Sequence, residues 1–186
     1  LLGSSDQRHD VDARASRSDE DGFHAGLYAS KHWDALRLRT GVVASRDDVE
    51  TRRDVGASGI SETYTASTDA SATAVFAELG YAIPVGSFEL EPYLGLGQVR
   101  QETDAFEERG GMGALRVDGS DDRLHFVDLG LNVSRDLGGS ERWYFDLGLA
   151  WRHASGDLDS RSQLAFTGGD PFVVSGVSAA DSSVLS

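Results

Sequence analysis

The stretch "FELEPYLGLGQV", residues 88–99, decides the fold class. Leucine recurs at positions 90, 94 and 96, and glutamate, tyrosine and glycine stand between these leucines. Alternation with period two predicts a β-strand that has one apolar and one polar face. Glycine weakens an ordinary strand and proline removes a ladder hydrogen bond, so the sheet that contains this strand must tolerate both. At Pro92 we expect a local bulge.

Five further segments repeat the alternation, and no segment shows a helical period of comparable quality. They are residues 23–30, 36–45, 74–83, 126–134 and 143–152. In all six segments one phase is apolar, and the other phase is small or polar and contains glycine. The glycines of this polar phase are Gly26, Gly41, Gly80, Gly95, Gly97, Gly130 and Gly148.

The links between the six segments alternate between short and long. The short links are residues 31–35, 84–87 and 135–142, and the long links cover about 46–70, 100–122 and 153–181. Short turns at one edge, long polar loops at the other and strands of about ten residues are typical of an outer-membrane β-barrel. The prediction is an all-β protein, an antiparallel up-and-down meander. A soluble β-sandwich would bury its apolar phase against a second sheet and would show no such asymmetry of loops.

Composition excludes several classes of function. The chain has 186 residues and a formal net charge of −14, which argues against nucleic acid as a partner because phosphate binding needs a basic surface. There is no cysteine, so disulfides and thiolate metal sites are impossible. No run approaches 18 apolar residues, which excludes a membrane helix. The first residues have neither an initiator methionine nor the pattern of a signal peptide, and we expect an internal segment of a longer chain.

Charged residues in the polar phase define the candidate functional face. Because isolated buried ions are very costly, so many charges on one face need water or partners. We expect them to line a hydrated pore that is acidic on balance, and also to form ion pairs between neighbouring strands. These lumen-facing candidates are Arg37, Arg39, Glu78, Glu89, Glu91, Asp128, Asp146 and Arg152.

Aromatic residues lie in or beside the short turns. Trp33, Tyr81, Phe88 and Trp143 occupy these positions. Tryptophan and tyrosine are favoured where strands cross the membrane–water interface, so these four residues are candidates for a periplasmic aromatic girdle. The alternative is that each packs across its own hairpin.

Catalytic and metal sites are not predicted. His153, Ser155 and Asp157 alternate along one strand end and would point the same way, so they cannot converge as a nucleophile, a base and an orienting acid. The acidic segments 8–21 and 45–54 are rich in calcium-type oxygen ligands, but neither has the order of an EF-hand loop. We expect no enzyme activity, no resident metal and no cofactor.

Several short sequence motifs extend the prediction to a family. "GLYAS", "FAELGY", "LEPYLGLG", "FEERGG", "WRHASGD", "LAFTGGDPF" and "VSGV", in this order and spacing, resemble the C-terminal β-domain of autotransporters, the type V secretion proteins. The resemblance implies a twelve-stranded barrel in the outer membrane of a Gram-negative bacterium, with its long loops facing the exterior. It also implies a pore that secretes and displays the protein's own N-terminal passenger, and insertion by the barrel-assembly machinery into outer-membrane lipid.

Placed against this family, residues 1–186 form one incomplete β-barrel domain. Residues 1–12 resemble the upper part of the third strand and residues 182–186 the start of the tenth, so the linker helix and the first and last strands are expected to be missing. Ser155 and residues 54–62 depart from the family pattern, both in the outer loops. Two alternatives remain, an outer-membrane pore or structural barrel without a passenger, and more remotely a soluble all-β binding domain.

Overall fold

The computed structural model describes residues 1–11, 16–57, 60–138, 143–157, 159–178 and 183–185. Throughout these ranges the regular structure is β-strand. The strands are β1 (Leu2–Val11), β2 (Ser16–Trp33), β3 (Leu36–Ala57), β4 (Ile60–Tyr81), β5 (Ile83–Val85), β6 (Phe88–Thr103), β7 (Phe106–Glu107), β8 (Leu115–Val117), β9 (Ser120–Gly138), β10 (Trp143–Gly156), β11 (Asp159–Phe166), β12 (Phe172–Ser178) and β13 (Ser183–Leu185).

The main sheet is an up-and-down meander, and this confirms the predicted fold class. Its order is β1-β2-β3-β4-β6-β9-β10-β13, with the short β5 also paired to β6. Every pair in it is antiparallel. A smaller antiparallel sheet, β12-β11-β8-β7, is built from the two links that join β6 to β9 and β10 to β13.

The strands are much longer than the ten residues expected, and the prediction of a loop over residues 46–70 is wrong. The strands β3 and β4 have 22 residues each, and their pairing continues without a break from Leu36↔Tyr81 to Ala57↔Ile60. The apolar band is the part of the strands in which one phase is apolar. Beyond it both faces of the sheet are polar, so the alternation that identifies a strand disappears while the backbone ladder continues. The predicted loops over 100–122 and 153–181 likewise contain the four strands of the small sheet.

The first two short links form tight turns, as predicted. The turn between β2 and β3 consists of Asp34 and Ala35, and Asp34 has a positive φ of 50°. Gly86 supplies a φ of 62° in the turn before β6. Glycine and aspartate tolerate this left-handed region better than other residues. Residues 139–142 of the third predicted short link lie outside the described residues.

The predicted bulge at Pro92 is wrong. Pro92 pairs in register with Leu131, and the β6–β9 ladder runs unshifted past it. The interruption lies on the opposite side of β6, where β4 ends at Tyr81 and β5 begins at Ile83. Since proline has no N–H to donate, the chain breaks the neighbouring strand instead of bulging its own.

The exposure of the two faces is the reverse of that in a water-soluble protein, since the apolar face is exposed and part of the polar face is buried. On the apolar face Leu27, Leu96 and Leu129 are 75%, 53% and 51% exposed, whereas the polar face contains Glu91 at 3%. Among the described residues the buried hydrophobic side chains are only Tyr64, Ala82 and Ala114. The sheet therefore has no apolar core of its own. None of the described segments forms a helix that is long and apolar enough to span a membrane.

Candidate functional site on the polar face

The strand register brings the predicted lumen residues together in rows across the sheet. Arg39 on β3 lies opposite Glu78 on β4, which in turn lies opposite Gly95 on β6. The same row continues through Asp128 on β9 to Arg152 on β10. Because successive side chains of a strand point to opposite faces, all of these residues share one face.

Glu91 is the centre of an ionic lattice on this face. Its two carboxylate oxygens accept hydrogen bonds from Arg37 at 2.5 Å and from Arg39 at 2.6 Å. Arg37 also contacts Glu89 at 2.6 Å, and Arg39 also contacts Glu78 at 2.6 Å. The five charges form a continuous chain of ion pairs across three strands, so the expectation that they pair across strands is met.

A second ion pair holds the other side of the row. Arg152 donates to both carboxylate oxygens of Asp128, at 2.7 and 2.8 Å, and its guanidinium lies 4.6 Å from the centre of the Phe126 ring. The remaining acid, Asp146, lies on the same face opposite Ser134, and Ser134 also lies opposite Glu89. The polar phase predicted from the sequence is therefore one physical face.

The polar face is crowded, and its glycines make room for neighbouring side chains. A Cβ on Gly130 would lie 2.2 Å from the Tyr93 ring, and one on Gly80 would lie 2.4 Å from a Glu91 carboxylate oxygen. A sheet that curves toward its polar face crowds the side chains of that face and spreads those of the other, as is observed here. Rings also cover Gly41 and Gly97, and side-chain atoms of the neighbouring strand approach Gly26, Gly95 and Gly148.

The four predicted girdle residues lie at the short-turn end of the sheet. Trp33, Tyr81, Phe88 and Trp143 are all exposed. The Lys31 ammonium lies 6.0 Å from the Trp33 ring centre, and the Phe88 ring lies 5.0 Å from the guanidinium of Arg135. An aromatic ring beside a cation suits an interface between hydrocarbon and water. Their place in a girdle stays a prediction.

The small sheet packs on the polar face at the long-link end, and sequence reasoning missed this arrangement. We name residues 104–119 together with 159–178 the outer cap. Arg53 on β3 holds the cap by donating to both oxygens of Glu108, at 3.1 and 2.5 Å, and to the carbonyl oxygen of Gly113 at 3.3 Å. Thr65 and Arg109 exchange two backbone hydrogen bonds of 2.9 and 2.7 Å.

Tyr64 is the best-buried residue of the cap contact, at 3% exposure. Its ring lies 4.5 Å from the Arg53 guanidinium, and its hydroxyl accepts a hydrogen bond of 3.2 Å from the Gly113 amide. The hydroxyl also donates to Glu62, and this hydrogen bond together with burial raises the pKa of Tyr64. Only an extension of the period-two phase beyond the apolar band would have shown that Arg53 and Tyr64 share a face.

The cap also joins two links that are distant in sequence. The Asp118 amide donates to the Gln163 carbonyl oxygen at 3.0 Å, and the Thr167 amide donates to the Ala114 carbonyl oxygen at 3.0 Å. Strands β8 and β11 pair between these points. The two links therefore fold as one unit across the polar face.

The residues considered for catalysis do not converge. The His153 ring stacks on Trp151 with ring centres 6.0 Å apart, and Asp157 accepts a hydrogen bond of 2.9 Å from the Arg123 amide. Ser155 lies opposite His125 in the strand ladder. Within the part of the chain that is described, no group of three histidine, aspartate or glutamate residues is arranged to hold a metal ion.

Like charges face each other on the outward face of β2, β3 and β4, above the apolar band. Asp48 lies opposite both Asp21 and Asp69, and a hydrogen bond with Asp69 raises the pKa of Asp48. The native state therefore binds a proton here more tightly than the unfolded chain does, and stability is lost as the pH rises through the native pKa.

We expect the substitution Asp48→Asn to stabilise the protein at neutral pH, because it removes a repelling carboxylate. The advantage should shrink as the pH is lowered toward the ordinary pKa of aspartate, about 3.9, where the wild-type carboxyl is protonated. Unfolding in urea, followed in detergent between these pH values, measures the difference. A gain from Asp48→Asn that is independent of pH would contradict this interpretation, and Asp136→Asn, outside the acidic row, is the matched control.

Comparison with known proteins agrees with this geometry. A family model described as the autotransporter β-domain matches residues 1–185. Two proteins of Serratia marcescens, each named extracellular serine protease, are 29% identical over 158 residues and 28% identical over 157 residues. Each match covers 81% of this chain but only 14% of the relative.

A solved structure is also similar. The translocator domain of the autotransporter NalP from Neisseria meningitidis aligns with a TM-score of 0.45 and 16% identity, over 87% of this chain and 61% of that one. The family assignment itself depends on the match to residues 1–185, which covers nearly the whole chain. This chain therefore belongs to the autotransporter β-domain family.

Proposed function

We propose that this chain forms part of the wall of a hydrophilic pore in the outer membrane of a Gram-negative bacterium. The observation that carries the proposal is the inverted sheet, which exposes leucine on one face and buries Glu91, at the centre of its ionic lattice, on the other. Such a sheet is stable where hydrocarbon covers the apolar face and water reaches the polar face. A one-residue slip of register would place its carboxylates in lipid.

The role proposed for the pore is secretion and surface display of the protein's own N-terminal passenger, after which the barrel remains as the anchor. Membership of the autotransporter family supports it. The relatives also support it, because the matched region is only 14% of their length and leaves most of each protein for a passenger. The proposed partners are outer-membrane lipid, the passenger segment and the barrel-assembly machinery, with the outer cap facing the cell exterior.

No catalytic role is proposed for this chain. The name serine protease belongs to two proteins of which this chain matches a small part, and His153, Ser155 and Asp157 do not converge on a common point. We propose that residues 1–186 are one incomplete domain of a twelve-stranded barrel, since the predicted third strand, β1, and the predicted tenth strand, β13, are the terminal strands of the main sheet.

Neutralising Glu89 and Asp146 tests the pore. The eight charged candidates predicted for the polar face are three arginines and five acids, and the double variant Glu89→Gln, Asp146→Asn leaves three of each among them. We expect the full-length protein in a planar bilayer to conduct cations in preference to anions, and the double variant to show a weaker preference. The matched control is Glu102→Gln with Asp121→Asn, on the outward face. An equal change in both variants, or none in either, would count against a pore lined by this face.

A further inference from the structure

Apolar side chains form a band on the polar face, above the ionic lattice, and the sequence pattern gave no warning of it. Two successive rows of the register contribute. The first row is Tyr28, Gly41, Phe76, Gly97 and Phe126, and the second row is Gly26, Val43, Ala74, Val99 and Leu124. We name these ten residues the apolar collar. The next row outward is polar again, with His24, Ser45, Ala72, Gln101 and Asp122.

The aromatic rings of the collar lie along the wall. Atoms of the Phe76 ring stand 2.5 Å from where a Cβ of Gly41 would be, and those of the Phe126 ring stand 2.0 Å from the equivalent point at Gly97. The ring centres of Tyr28 and Phe76 are 6.5 Å apart, on either side of Gly41. Glycines between the aromatics therefore let the rings lie against the sheet. Tyr28 and Phe76 stay exposed, whereas the Arg152 guanidinium covers the Phe126 ring.

The collar is exposed although it is apolar. Tyr28 is 64% exposed, Val43 41% and Phe76 37%. Lipid contact does not explain these residues, because the opposite face of the same strands supplies the apolar surface for lipid. The charges of the row below are paired with each other. The collar differs from that lattice because its exposed side chains can still contact another molecule. A contiguous exposed apolar surface marks a place where another molecule is contacted.

We propose that the apolar collar contacts the passenger polypeptide while it passes through the pore in unfolded form. This inference rests on the proposed function and names the surface that meets the moving chain. The family and the length of the relatives indicate the occupant. The matched region is only 14% of the relative's length, so under the proposed function the pore must pass a passenger that lies in the remaining part. Apolar contact is non-directional, so it suits a chain whose side chains change as it moves.

The collar's position supports this occupant over a fixed ligand. It lies between a lattice whose charges are paired with each other and the polar wall beneath the outer cap. A moving chain that met only unpaired charges would bind at specific acids and bases along its length. Flat rings and short aliphatic side chains instead give each passing apolar residue a brief and similar contact.

Site-specific photo-cross-linking tests the contact. A photoreactive amino acid is placed at Phe76 of the full-length protein, and the passenger is stalled in transit by a small disulfide-bonded domain. We expect Phe76 to cross-link the stalled chain, and the neighbouring outward position Val75 not to do so. A probe at Asp146, on the polar face but outside the collar, reports passage through the pore independently.

The outcomes separate the collar from the pore. Cross-linking from Asp146 without cross-linking from Phe76 overturns the collar and leaves the proposed function intact. No cross-link from either inner probe contradicts the proposed function and the collar together. Cross-links from Phe76 only to the completed product, and not to the stalled chain, also overturn the proposal because they show a resting contact instead of a contact in transit.

A variant tests the consequence for the rate. Tyr28→Ser removes the most exposed ring of the collar, and Tyr144→Ser removes an equally exposed ring, at 65%, from the polar phase outside the collar. We expect the rate of surface display to fall about threefold for Tyr28→Ser and to stay unchanged for Tyr144→Ser. Migration of unheated protein on a gel checks that both variants fold, and equal display rates in folded variants would overturn the proposal.

Discussion

Replacing Glu91 by glutamine is expected to destabilise the protein by about 2–3 kcal/mol. Glu91 is 3% exposed, and its two oxygens are shared between Arg37 at 2.5 Å and Arg39 at 2.6 Å. Glutamine keeps the shape of the side chain but removes the charge, so two guanidinium groups lose the carboxylate between them. The effect stays below the upper range for breaking a buried ion pair, because the arginines are partly exposed and keep Glu89 and Glu78.

Heating in detergent measures this effect. Folded outer-membrane barrels migrate differently from unfolded ones on a gel, so the temperature at which the folded band disappears reports stability. The matched control is Glu102→Gln, which removes a carboxylate that also contacts an arginine, Arg100, but on the solvated outer end of the sheet. An exposed pair contributes about 0–1 kcal/mol, so this control should barely change the transition. Equal shifts for both variants would show that burial of Glu91 does not matter.

Tyr64→Ala is expected to open the outer cap. The substitution removes the ring on which the Arg53 guanidinium lies and the hydroxyl that accepts the Gly113 amide hydrogen bond. Truncation of a buried aromatic side chain costs about 3–5 kcal/mol. Because β7 and β8 are only two and three residues long, their pairing is too short to compensate for that loss. The loss should fall mainly on the cap, and the main sheet should remain folded.

Limited proteolysis with trypsin on intact cells measures cap opening. Arg109 and Arg116 lie in the cap, and cleavage there should increase by at least about a hundredfold, since proteolysis follows the population of the open form. Tyr64→Phe keeps the ring but loses the hydrogen bonds to Glu62 and from Gly113, so about a fivefold increase is expected. Cleavage that is unchanged in Tyr64→Ala would mean that the cap is held closed by its own β8–β11 pairing and not by this contact.

The strands within the apolar band show how much of the structure can be predicted from alternation with period two. Wherever one phase was apolar, the sequence predicted the strand and its polar side chains, and every one of the eight charged candidates lies on the polar phase. The ion pairs Arg39–Glu78 and Arg152–Asp128 follow once the strands are known to be neighbours in register. The pairing of Glu91 with two arginines at once needed the exact offset between β3 and β6, which no local pattern contains.

The errors have the same physical origin. Residues 46–70 looked like a loop because both faces of β3 and β4 are polar there, and alternation vanishes when neither face meets hydrocarbon. At Pro92 the sequence showed the loss of one hydrogen bond, but only the position of Tyr81 and Ile83 showed which strand was broken to accommodate it. The apolar collar was missed because Phe76 and Phe126 lie near the starts of their alternating segments, and become a row only across strands.

Local residue patterns were enough to predict the fold class, the faces of the strands within the apolar band, the first two tight turns and the family. These are local properties, because side chains alternate along a strand every two residues and turn residues act within four. The tertiary structure decided the register, the Glu91 lattice, the collar and the cap in which Arg53 and Tyr64 hold Glu108 and Gly113. These depend on pairs far apart in the chain, and their energies come from distance and burial, which the order of residues does not specify.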